Sequence, residues 1–211
     1  MGCVRVLTAV VAALLLVGCS GGGPAAPTDV QRSEAVASVA ELGPDALGLG
    51  EPLATASQDV CQEGQQNSKV TEVESACTVG RSWILPAAEG RADVAGAIDA
   101  LRDRLADRGC ESVRKGGLDL AARYWSDGVQ EEPGMLPGST FACGTTEVEV
   151  SSVSPAEPRV SPISLVGDLT GGDVGEPDTE AFPSDVEQRV EDSGQVLLWQ
   201  ITVTQQYAVR P

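Results

Sequence analysis

The sequence predicts an α+β fold: an antiparallel sheet with one main amphipathic helix, at about residues 90–108, packed on a face, and two disulfides. Three observations predict it. "RADVAGAIDALRDRLADRGC" sets Val94, Ile98, Leu101 and Leu105 at steps of four and three, with Asp99, Arg102, Asp103 and Asp107 facing away. "TTEVEVSSV" and "VLLWQITVTQQYAV" alternate, so that Val148 and Val150 share one strand face and Leu197, Trp199, Ile201 and Val203 another. Four cysteines, Cys61, Cys77, Cys110 and Cys143, form an even set along the same stretch of chain.

Taken in order, Thr28-Asp29 caps a short helix through "VQRSEAVASVAEL", where Val30, Val36, Val39 and Leu42 recur at roughly helical spacing, and Gly43-Pro44 ends it. From there to Thr55 the residues are small and irregular. Residues 19–55 therefore read as a tether with a short helix, and 56–211 as the domain proper. "KVTEVESACTVGRSWILP", from Lys69 to Pro86, is rich in β-branched and aromatic residues and reads as one or two strands. The main helix follows, with Gly109 placed to stop it. "GLDLAARYW" fits a strand or a helix equally. Prolines and glycines mark a loop at 133–138, and residues 155–185 read as loops with one short strand near "ISLVG". The order of strand, helix, then mostly strands gives the sheet with its helix on one face.

Fourteen Lys and Arg against thirty-one Asp and Glu leave a formal charge of −17. That excludes nucleic-acid binding, which needs a basic face, and sets the chain against adhesion to anionic lipid. Histidine is absent. With it go Ser-His-Asp, Cys-His and HExxH chemistry. An enzyme here would have to work with shifted carboxylates, tyrosine, or the two lysines, Lys69 and Lys115. No cofactor is expected.

The first residues place the protein. Val6 to Val17 is apolar but too short to span a bilayer, which takes about 20 residues. With Arg5 ahead of it and small residues behind, it has the pattern of a secretory signal. Leu16-Val17-Gly18-Cys19 resembles the lipobox of bacterial lipoproteins. The resemblance implies that residues 1–18 are a signal peptide and that Cys19 carries the lipid and becomes the first mature residue. "SGGGPAAP", Ser20 to Pro27, then serves as a flexible spacer with a reach of roughly 15 Å. In an exported chain the other four cysteines are expected to pair. Three connectivities exist, and Cys61–Cys77 with Cys110–Cys143 is favoured because it closes successive local loops, contributing about 3 and 3.7 kcal/mol on the chain-entropy model. The composition, with Arg far above Lys and abundant Ala, Gly, Val and Asp, resembles that of actinobacterial proteins. The paired cysteines around "GQQN" resemble actinobacterial cell-envelope lipoproteins, a resemblance that carries no activity or site residues.

Several motifs invite a sharper reading. Ser112-Val113-Arg114-Lys115 has the SxxK form of serine β-lactamases, but no asparagine-bearing second element or KTG follows, so a solvated strand or loop is the better reading. "GRSWI" and "GLGEPL" each lack the last glycine of a nucleophile elbow and of a dinucleotide fingerprint. The acidic run from Asp168 to Glu180 offers carboxylates to calcium without the EF-hand order, and no metal site is assigned. Tyr124-Trp125, the one adjacent aromatic pair, is the candidate partner or ligand contact, weighed against core packing. The sequence-based expectation is a lipid-anchored, extracytoplasmic, non-catalytic binding module on the outer face of the cell membrane. Its partner would be an envelope protein or small ligand; the alternative is an envelope hydrolase using carboxylates.

Overall fold

A computed structural model of the chain describes residues 28–64, 75–128, 135–163 and 172–210. Helix α1, Asp29–Ala40, begins at Thr28, whose hydroxyl accepts from the Gln31 amide while the Gln31 side chain accepts from the Thr28 amide, a reciprocal cap for two otherwise unpaired donors. A short helix, α2, spans Pro44–Leu47. The strands are β1 (Ala54–Glu63), β2 (Ser75–Ala88), β3 (Glu111–Ser112), β4 (Ser139–Cys143), β5 (Thr146–Val153), β6 (Asp178–Glu180) and β7 (Leu197–Arg210). The remaining helices are α3 (Val94–Asp107), α4 (Gly117–Ser126) and α5 (Val186–Glu191). The seven strands form one antiparallel sheet in the order β3-β4-β5-β7-β2-β1-β6. The fold is α+β.

The expected main helix is α3. Val94, Ile98, Leu101 and Leu105 are all buried to within 1% exposure, each such burial contributing about 1.5–3 kcal/mol. Its end explains a disulfide. Gly109, at φ +73°, donates to the Ala106 carbonyl, and Cys110 donates to that of Leu105, the paired bonds of a Schellman stop. This turn delivers Cys110 to the edge of β4, where it bonds Cys143, with 4.2 Å between Cα atoms. Cys61 stands directly opposite Cys77 in the β1–β2 register, with 3.9 Å between Cα atoms, and these two are bonded as well. Both favoured pairings are present.

The helix layer is larger than the sequence indicates. Ala35 and Val39 of α1, with Leu42 and Leu47, join α3, α4 and the odd-numbered residues of β2 and β7 in the main core. Helices α1 and α2 therefore belong to the packed body, and the expected boundary at 56 is corrected. Helix α1 looks weakly amphipathic because two small or β-branched residues, lying over β7 and β2, do most of its packing. The stretch "GLDLAARYW" resolves as helix α4, burying Leu118 and Ala121. Strand β1 was hidden by its polar composition. A second, smaller core on the other face joins Ala54, Ile84, Val153 and Leu198 to Val186 and Val190 of α5. The segment after β5 crosses this face too: the Gln200 side chain donates to the Ser161 carbonyl at 2.7 Å and accepts from its amide at 3.0 Å, as a neighbouring strand would. The short strand expected near "ISLVG" and most of "GQQN" lie outside the described residues, as do residues 1–27.

Leu101→Ala, in the middle of the α3 stripe, is expected to lower unfolding stability by about 2–5 kcal/mol, read as a lower denaturant midpoint at unchanged slope. Val30→Ala, on the exposed side of α1 at 65% exposure, should change it by less than about 0.5 kcal/mol.

Candidate functional site

The chain gathers its best-sheltered ionisable groups where α1 enters the sheet. Asp59 on β1 stands opposite Val79 of β2 on one side and Asp178 of β6 on the other. Two carboxylates directly across from one another weaken a strand pair. Arg32, on the first turns of α1, answers this: its Nε donates to Asp59 Oδ2 at 2.5 Å and its Nη2 to Asp178 Oδ2 at 3.1 Å. The second Asp59 oxygen accepts from the Tyr207 hydroxyl at 2.6 Å, so the tyrosine side chain of β7 reaches across β2. The hydrogen bond to Asp59, then its charge, hold the Arg32 guanidinium above its ordinary pKa. Burial, with the Asp59 hydrogen bond and charge adding to it, pushes the Tyr207 hydroxyl well above the ordinary tyrosine range. Every other described carboxylate is solvent-exposed; Asp59, with 11% of its side chain accessible, is not.

The sequence-derived candidates fall elsewhere. Tyr124 and Trp125 occupy the last turn of α4 and are both half-buried. Trp125 packs on the main core and carries the Arg91 guanidinium over its ring, 4.8 Å from the centroid. Ser112 ends β3 and Lys115 lies on the β3–α4 connection; both are exposed, and the Ser112 hydroxyl donates to the Arg114 carbonyl at 2.6 Å, the solvated strand and loop the sequence favours. Ser82 of "GRSWI" is fully buried in mid-strand and bonded to Thr202 and Gln200. In the acidic run, Asp173 accepts from Gln62 and Asp178 from Arg32, and among the described residues no group of three ligands suited to a metal comes together. Asp168 and Cys19 lie outside the described residues.

Two open clefts are present, the first of them on the sheet's second side. One, of about 480 Å³, runs between Val160, Pro162 and Ile163 and the Phe182–Val186 stretch. The other, of about 560 Å³, runs between Met135, Leu136 and the Ser151–Arg159 segment. Each has a single acid in its lining, Glu187 in the first and Glu157 in the second, the latter paired to Arg159 at 3.4 Å. Neither brings two carboxylates face to face. Sequence reasoning missed the Asp59 cluster because 148 residues separate Asp59 from Tyr207. The pairing of Cys61 with Cys77 was the available signal, since it lays β1 along β2 and fixes which side Asp59 shares. Comparisons with protein-family models, with characterised proteins and with solved structures find no match.

Because the Tyr207 pKa is raised on folding, its contribution to stability is fully present below the unfolded value of about 10 and is lost as pH rises beyond it. Tyr207→Phe is expected to be less stable than the parent at pH 8 by about 1.5–3 kcal/mol, the range for a hydrogen bond to a charged group. The gap should close above pH 10, because only the parent then loses stability through this hydroxyl. Urea unfolding at pH 8 and above pH 10 measures both.

Proposed function

We propose that the chain is a lipid-anchored extracytoplasmic lipoprotein whose domain acts as a non-catalytic binding or interaction module in the cell envelope. The observation that carries the non-catalytic reading is the position of Asp59. A hydrolase that used a carboxylate as its acid or base near neutral pH would need one withdrawn from water to raise its pKa. Among the described residues one carboxylate is withdrawn, and both of its oxygens are taken by Tyr207 and Arg32, which tie β1 to β7 and α1. Its work is structural. The lipobox and the glycine-rich composition of Ser20 to Pro27 support the anchor reading. The two disulfides support an oxidising compartment.

Cys19→Ala tests the anchor: the protein is expected in the soluble fraction or as an unprocessed precursor, and a processed Cys19→Ala form still bound to membranes would contradict it. Turnover of an ester, amide or glycoside by the purified protein, abolished by a single Asp or Glu substitution, would favour the envelope hydrolase instead.

A further inference from the structure

We infer that helix α1 is a strap, latched to the sheet by Arg32, that opens as a unit while the disulfide-bonded body stays folded. This motion is built into the fold and does not depend on what the domain binds. The covering helices are unequally fastened. Helix α3 buries Val94, Ile98, Leu101 and Leu105, and the Cys110–Cys143 bond ties the turn after it to β4. Helix α4 follows β3, which is paired to β4, and α5 sends Arg189 to the Leu53 carbonyl on the way into β7. Helix α1 has two buried residues, Ala35 and Val39, both small. Among the described residues no backbone hydrogen bond joins it to the sheet, and neither disulfide reaches it.

Burying an alanine methyl and one valine contributes a small fraction of what four large side chains give α3. A helix of about 12 residues is marginal by itself in water, so α1 holds its shape by being attached. Arg32 supplies the attachment. Its Nε and Nη2 donate to Asp59 at 2.5 Å and Asp178 at 3.1 Å, carboxylates that stand opposite one another in the β1–β6 register. Lifting the guanidinium leaves two like charges facing each other. With 47% of its side chain exposed, Arg32 is also open to competition from water and salt, as a latch that releases must be.

The strap runs over β7 and β2 from this group to Trp83, whose ring lies 3.6 Å from the position a Gly43 Cβ would take. Between those ends the same sheet face carries Val79 and Val203, both buried. Arg81, between Val79 and Trp83 on that face and opposite Val203, is exposed, as is Thr55 opposite Trp83. One flank of the covered strip is therefore already open to water. Helix α2 stays behind: Pro44 and Leu47 are buried, and Arg108 donates to the Ala46 carbonyl, which places the hinge at Leu42-Gly43. Opening there bares the apolar strip without breaking a strand pair or a disulfide.

The test is amide hydrogen exchange, resolved by residue, on the purified full-length protein with both disulfides formed. Amides from Ser33 to Ala40 are expected to share one level of protection, at least about a hundredfold below the slowest amides of β7. Arg32→Gln should speed their exchange about tenfold, the effect of losing hydrogen bonds to a charged group. Leu198→Ala, in the second core on the other sheet face, should speed the slowest β7 amides at least about tenfold and leave α1 unchanged. If that variant fails to fold, urea below the unfolding transition replaces it: exchange in β7 should rise steeply with urea and exchange in α1 hardly at all. Equal protection of α1 and β7 would overturn the strap, as would an equal response of both to Leu198→Ala or to urea. So would a gradient of protection rising from Ser33, which is fraying, or α1 exchange that ignores Arg32→Gln.

Discussion

Strand β7 is buried on both faces, and most of the chain is arranged to cover it. From Leu197 to Ile201 five successive residues are buried, and in a strand successive side chains point to opposite sides. One layer cannot shelter them. On the odd side α1, α3 and α4 supply the cover; on the even side α5 and the segment after β5 do. Gln200 is the polar member of the run, and burying it without partners would cost about 1–3 kcal/mol. It is bonded to Ser82 and Ser161 instead, so the residue that threatens the layer also fastens the crossing segment. This is why residues beginning at Thr28 belong to the body of the domain.

A second constraint is the scarcity of positive charge. Four of the engaged arginines sit at junctions: Arg32 between α1 and two strands, Arg102 between α3 and α4, Arg108 between α3 and α2, and Arg189 between α5 and the Leu53 carbonyl. Exposed ion pairs contribute about 0–1 kcal/mol each, so these contacts orient the helices more than they stabilise them. The Arg32–Asp59–Tyr207 group differs because Asp59 is sheltered.

Much of the architecture was legible in the sequence, for a physical reason in each case. Helix α3 and strands β5 and β7 carry large side chains at their proper period, and Thr28, Gly109 and the four cysteines mark caps and pairings. Strand β1, "ATASQDVCQE", hides because its buried positions are Ala54, Ala56 and Val60, too small to show a period. Helix α4 hides because ten residues with apolar Leu118, Leu120, Ala122 and Tyr124 satisfy both periods, and only packing against α3 and β4 decides between them. The site was less legible than the fold. Tyr124 and Trp125 were visible as an aromatic pair. The Asp59 cluster depends on strand order, which is not written in local pattern.

The central claim is an exported, anchored and disulfide-stapled binding domain, and intact-mass spectrometry of the protein extracted from native membranes tests it most directly. The expected species starts at Cys19, carries the mass of a diacylglyceryl-type modification on that residue, and lacks the four thiol hydrogens lost in forming Cys61–Cys77 and Cys110–Cys143. An unmodified chain retaining residues 1–18, with all four thiols reduced, would contradict it.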